Sequence, residues 1–320
     1  MRNNNIAIIG LGYVGLPLAI EFGKKYKTYG YDINQNRINS LKMGMDTTKE
    51  FKKDYILSSK KLVFVNKIKH LEECNIFIVT VPTPIFKNNS PDLRNIIDAT
   101  KKIASVLKKN SIVIFESTVY PGLTEEVCVP ILEKFSNLKS NKDFYYGYSP
   151  ERINPGDKKH QLTSIKKIVS GSNNFSSKKI KQLYESIIKA GTHMAPSIKV
   201  AEAAKVIENI QRDINVAFAN ELFKIFEKMN LNTYDILRAA NTKWNFLDFK
   251  PGLVGGHCIG VDPYYLLYKC KKIKFKSKII TAGRKVNDEM SFYYANIINK
   301  QIIKKFKQKK NKNISYGIHI

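Results

Sequence analysis

Cysteine is scarce in this chain. Cys74, Cys128, Cys258 and Cys270 are the only four in 320 residues, and no two stand in a CxxC pair. That spacing excludes a disulfide framework and the common zinc patterns, so no metal is expected and a reducing, cytoplasmic setting is the default. Long apolar runs are missing as well. None approaches the ~20 residues that a bilayer span needs, so no membrane is expected. The start, MRNNNIAIIGLGYVG, places one Arg before an apolar run but has no small-residue cleavage site, which argues against a secretory leader. Acidic residues are few, 27 against 54 Lys and Arg, for a net charge of +27. The lysines are spread along most of the chain, without RNA-binding aromatic motifs or a zinc-finger pattern, so no nucleic acid is expected. A positive field still attracts a small anionic substrate.

The first half has the pattern of a dinucleotide-binding domain. A short apolar strand, Ile6 to Ile9, runs into Gly10, Gly12 and Gly15 in GxGxxG spacing, which opens a helix through Leu16, Ala19 and Phe22. The first glycine permits the tight turn, the second lets a pyrophosphate reach the backbone, and the third lets helix and strand pack closely. A second strand, Thr28 to Tyr31, ends in Asp32, seventeen residues past the third glycine. An acid there binds the ribose hydroxyls of NAD and repels the 2′-phosphate of NADP. Further strands are predicted at Leu62 to Val65, Ile76 to Val81 and Ser111 to Phe115, separated by amphipathic helices, which implies a parallel, doubly wound α/β sheet. Thr83 and Thr118 follow two of these strands. They are placed either to touch the cofactor or to cap the next turn.

The second half is helical. From Val200 to about Met229, Ile207, Ile210, Ile214, Ala217 and Phe218 recur at spacings of three and four, and Lys205, Asn209 and Arg212 share one face beside that stripe. Such a row is either a solvated face or a site. Beyond it, Gly255 and Gly256 precede His257 and Cys258, and Asp262-Pro263 reads as a helix start with Pro at its first position. The glycines allow backbone to approach a ligand closely. A cysteine near a helix start is a candidate thiolate nucleophile or a buried structural thiol.

Six stretches occur in order: GLGYVGLPLA from Gly10, VPTP from Val81, ESTVYPG from Glu116, SPERINPG from Ser149, AAKVIENIQRDIN from Ala203 and GGHCIGVDPYYL from Gly255. As a set they resemble the UDP-glucose/GDP-mannose dehydrogenase family over essentially the whole chain, and are most similar to its branch acting on UDP-N-acetylhexosamines. The resemblance implies a Rossmann-type NAD-binding domain over residues 1–199 and an all-helical central dimerisation domain, built on the long helix, over 200–306. It implies an NAD-dependent, four-electron oxidation of a sugar C6 alcohol to a carboxylate, with Cys258 as nucleophile. Lys205 would stabilise oxyanions and move protons, Asn209 would add a hydrogen-bond donor, and Glu151 and Asp262 would position or activate the hydrolytic water. An N-cap role for Asp262 is equally open. Arg152, Ile153, Lys205, Asn209, Arg212, Gly255 and Gly256 would lie on the UDP-sugar. Gly10, Gly12, Tyr13, Val14, Gly15, Asp32, Arg37, Thr83 and Thr118 would contact NAD.

Members of this family usually continue into a further Rossmann-like domain that holds the uridine diphosphate. Here a helix predicted from about Ser277 to Phe306 is followed by a basic tail, 307–320, which reads as a shortened start of that domain. Binding energy from the remote diphosphate helps orient the reacting carbon. The expectation is a chain that binds NAD and forms a homodimer but oxidises nucleotide sugars poorly or not at all.

Overall fold

The computed structural model describes residues 4–153, 156–157, 160–255 and 259–315, the last nine of these by backbone alone. Gly256 and Cys258 lie outside the described residues, as do 316–320 of the basic tail. The chain forms two compact units, one of residues 1–207 with 264–272, the other of 208–263 with 273–320.

The first unit is built on eight strands: β1 (Asn5–Ile9), β2 (Lys27–Tyr31), β3 (Leu62–Val65), β4 (Ile76–Val79), β5 (Ile112–Phe115), β6 (Tyr145–Tyr148), β7 (Lys167–Gly171) and β8 (Thr192–Met194). They run in the order β3-β2-β1-β4-β5-β6-β7-β8. Every pairing is parallel except β6 with β7. The predicted α/β sheet is present, and β6 to β8 extend it beyond the five strands foreseen. The direction of growth reverses between β1 and β4, which places a ligand crevice beyond their carboxyl ends.

Strand alternation explains the core. Ile6, Ile76 and Ile112 stand side by side across β1, β4 and β5, and Ile8, Ile78 and Ile114 form the next row. Both rows belong to a cluster that includes Leu16, Ala19 and Ile20 of the helix Gly15–Gly23 and Ile180 and Leu183 of the helix Asn174–Glu185. Ala7, Phe77 and Val113 alternate onto the other face and are equally buried. Strands covered on both faces therefore read as continuous apolar runs. Helix starts are capped locally. Asn34 accepts from the backbone N–H of Asn36 and Arg37, and Asn173 and Ser176 form a reciprocal capping box.

The second unit is helical. Its part of the helix Ile198–Lys228 and the helix Ile279–Ser315 approach closely enough that a Cβ on Gly283 would lie 3.5 Å from the Ile214 side chain. Buried Arg284 reaches Asp213 at 2.6 Å, and Asn287 donates to the same carboxylate oxygen at 2.8 Å. Asn287 also accepts from Asn220, which pairs reciprocally with the backbone of Gly252. The last helix continues past Phe306 to Ser315, because its Lys-rich end contains no Gly or Pro until Gly317. No helix among the described residues is long and apolar enough to cross a membrane.

Ile114→Ala empties a fully buried site in the middle row of the sheet. It is expected to lower unfolding stability by about 2–5 kcal/mol, read from denaturant titration.

Candidate active site

The loop after β1 is shaped by contacts that leave no room for side chains. Gly10 sits at φ +96°, and a Cβ on Gly15 would fall 1.9 Å from the Gly10 carbonyl oxygen and 2.4 Å from Oγ1 of Thr80. Thr80 locks the arrangement by donating to the Gly10 carbonyl at 2.7 Å. Gly12 differs, since a Cβ there would meet no protein atom within 4 Å. The helix that follows begins at Val14 without a side-chain cap and without an acid in its first turn. Open backbone at Gly12 and an uncapped helix start make a cradle for a pyrophosphate. The residues present thus fit a dinucleotide.

Asp32, at the end of β2, accepts from the Leu11 N–H at 2.9 Å and from the Asn34 N–H at 2.9 Å. The carboxylate is half-buried beside the glycine loop, where ribose hydroxyls of NAD would meet it. Arg37 is occupied within the protein. Its guanidinium donates to the Leu11 carbonyl at 2.9 and 3.0 Å, and to Asp46 at 2.6 Å. Asp46 in turn accepts from the backbone of Thr48, Glu50 and Phe51. Burial opposes its charge, but the Arg37 guanidinium first, then the Thr48 hydroxyl and the N–H groups of Thr48 and Phe51, hold its carboxyl below the usual range. Arg37 therefore braces the loop carrying Tyr13 and Val14. Thr83 and Thr118 are brought together, the Thr83 hydroxyl donating to the Thr118 carbonyl at 2.7 Å. Tyr265 donates to the Thr83 carbonyl at 3.0 Å.

The remaining site residues divide between the two units. In the first, Lys205 is buried and donates to the Glu151 carbonyl at 2.8 Å. The Glu151 carboxylate accepts from the N–H groups of Arg152 and Ile153 and from Lys167. Ile153 packs against the apolar core. In the second unit, fully buried Asn209 donates its amide to Asp262 and accepts from Arg212. Asp262, 1% exposed, is the first residue of the helix Asp262–Lys272. Gly255 is exposed, and a Cβ added to it would meet no protein atom within 4 Å.

Sequence reasoning passed over Thr80, Lys167 and Glu202. Glu202 is fully buried and accepts from the N–H of Gly122 at 2.5 Å and of Thr124 at 3.0 Å. It holds the end of the ESTVYPG segment. Burial pushes its carboxyl up to about 7, against the pull of those donors toward the anion. Its only sequence signal is an acid inside an otherwise apolar helical stretch.

Residues 4–188 match the NAD binding domain of the UDP-glucose/GDP-mannose dehydrogenase family, and residues 199–289 match its central domain. A UDP-N-acetyl-D-glucosamine 6-dehydrogenase of Pseudomonas aeruginosa is 55% identical over 305 residues, which are 95% of this chain and 72% of that protein. One of Salmonella typhi is 56% identical over 300 residues, covering 94% and 71%. Among solved structures, UDP-D-ManNAc dehydrogenase from Pyrococcus horikoshii superposes with a TM-score of 0.87 at 32% identity, over 94% of this chain and 72% of that one.

Two glycines separate folding from cofactor binding. Gly12→Ala is expected to keep the parental melting temperature but weaken NAD binding about tenfold, ~1.4 kcal/mol, in a fluorescence titration. Gly15→Ala is expected to disrupt the loop itself and lower the melting temperature. Glu202 sets a pH dependence. The folded chain holds the Glu202 proton more tightly than the unfolded chain, with a folded value of about 7 against an ordinary 4.5. Its contribution to stability is therefore full below about 4.5 and is lost as pH rises toward 7. Denaturant midpoints for Glu202→Gln should fall less than those of the parent across that window.

Proposed function

Since the chain belongs to the UDP-glucose/GDP-mannose dehydrogenase family, we propose that it oxidises the C6 alcohol of a UDP-N-acetylhexosamine to the carboxylate through Cys258. The observation that carries this reading is the pair of relatives more than half identical over nearly the whole chain, both UDP-N-acetyl-D-glucosamine 6-dehydrogenases.

When bound, NAD+ would supply the hydride acceptor for two successive oxidations at C6. The chain's own residues manage what lies between them. The Cys258 thiolate adds to the C6 aldehyde, forming a C–S bond and a thiohemiacetal oxyanion, so that no free aldehyde escapes. The second oxidation leaves a thioester, and water displaces the thiolate to release the carboxylate. Summed, one alcohol, two NAD+ and one water give one carboxylate, two NADH and three protons. Lys205 steadies the oxyanion and Asn209 donates a hydrogen bond to it. Asp262, buried and receiving the Asn209 amide, and Glu151, buried beside Lys167, position or activate the water. Arg152, Ile153, Arg212, Gly255 and Gly256 contact the nucleotide sugar. The net charge of +27 favours capture of that anion.

The long helix supports a homodimer. It leaves Phe218 and Ile225 exposed seven residues apart, and Met229, just past its end, is exposed as well. A cytoplasmic setting fits a chain whose Cys74 and Cys128 are free and buried.

NADH formation by the 320-residue chain from UDP-N-acetylglucosamine and UDP-N-acetylgalactosamine tests the reading. Two NADH per sugar are expected, with turnover abolished in Cys258→Ser. NAD binding without turnover would instead favour a cofactor-binding, dimerising chain.

A further inference from the structure

In the first unit a lysine and two carboxylates meet out of reach of solvent. Lys167, the first residue of β7, places Nζ 2.7 Å from Oε2 of Glu116, just past the end of β5, and 2.5 Å from Oε2 of Glu151. All three side chains are buried. Tyr184 donates its hydroxyl to the other oxygen of Glu116. Enclosed ion pairs of this kind add little net stability, because desolvation consumes most of the attraction. Their effect here is on geometry. With Oε2 turned to Lys167, the Glu151 carboxylate presents Oε1 to the N–H groups of Arg152 at 2.6 Å and Ile153 at 3.1 Å. The backbone folds around its own carboxylate, and the Glu151 carbonyl comes to lie 2.8 Å from Nζ of Lys205.

We propose that Lys167 is a positioning residue for Lys205: it clamps the Glu151 carboxylate beside Glu116, which holds the backbone of residues 151–153 so that the Glu151 carbonyl orients the Lys205 ammonium. The inference rests on the role given to Lys205 above. It assigns work to a residue outside all six motifs, sixteen positions from Glu151 and thirty-eight from Lys205 in sequence. Burial raises the Glu116 carboxyl above its ordinary range even with Lys167 beside it. In Lys167→Met both buried carboxylates lose the cation that sits 2.7 Å from Glu116 and 2.5 Å from Glu151, and Glu151 loses the group that turned it.

Reductive methylation of Lys205 in the full chain, quantified by mass spectrometry, reads this clamp without needing substrate. NADH turnover is measured in parallel. Lys167→Met is expected to raise the Lys205 labelling rate about tenfold and to lower kcat about 10–100-fold, with KM for NAD changed less than about twofold. Tyr184→Phe loosens the cluster at its Glu116 end, and is expected to reduce stability while leaving Lys205 labelling at the parental rate. If Lys167→Met alone does not fold, Glu116→Gln/Lys167→Met removes the uncompensated charge and is expected to show the same raised labelling. Parental labelling in a folded Lys167 variant overturns the proposal. So does a rise in Tyr184→Phe equal to that in Lys167→Met. A parent chain that turns over no nucleotide sugar would count against the proposed function, and the labelling would still decide the clamp.

Discussion

Thr80, Gly10 and Gly15 approach so closely that no Cβ fits between them. That approach joins β1, the residue after β4 and the first helix at one point, and the pyrophosphate cradle exists only because they meet there. The rows of isoleucines beneath it make the sheet rigid enough to hold the loop. Dense packing transmits small displacements, so a misplaced strand in the core would be felt at the loop above it. Asp32 and Arg37 complete the arrangement from the second strand and its helix, one through the Leu11 N–H and the other through the Leu11 carbonyl.

Among the described residues, three groups of opposite charges are buried together. Arg37 with Asp46, Lys167 with Glu116 and Glu151, and Arg284 with Asp213 are each enclosed ion pairs carrying additional hydrogen bonds. An isolated charge in such places would cost several kcal/mol, on the order of the whole margin of stability. Each set reaches backbone that belongs to a candidate site: the glycine loop, residues 151–153, and, through Asn287 and Asn220, the segment at Gly252. Polar burial is concentrated where the chain must be held in one conformation.

Much of this was legible before any coordinates. GxGxxG followed by Asp32 specified the cofactor cradle, since turn geometry and helix starts are local. Alternation and apolar runs located the first five strands for the same reason. The short strands β6 to β8 were not visible, because YYGY and THM carry weak local patterns and derive their strand character from neighbours already in the sheet. Arg37 stands where the resemblance implies a cofactor contact, and its guanidinium also reaches the Leu11 carbonyl and Asp46. No local rule announces those internal partners, which lie 26 and 9 residues away.

The amino-acid sequence on its own determined the order of elements, the glycine cradle, the acid at the end of β2 and the family to which the motifs belong. Each of these is carried by short runs of neighbouring residues, the family by six such runs taken in order. Tertiary structure alone decided that Lys167 would lie between Glu116 and Glu151, that Thr80 would lock Gly10, and that Glu202 would hold the backbone at Gly122 and Thr124. Those partners are 16 to 80 residues apart, and they meet only once the sheet order and helix placement have been set by burial of the apolar core.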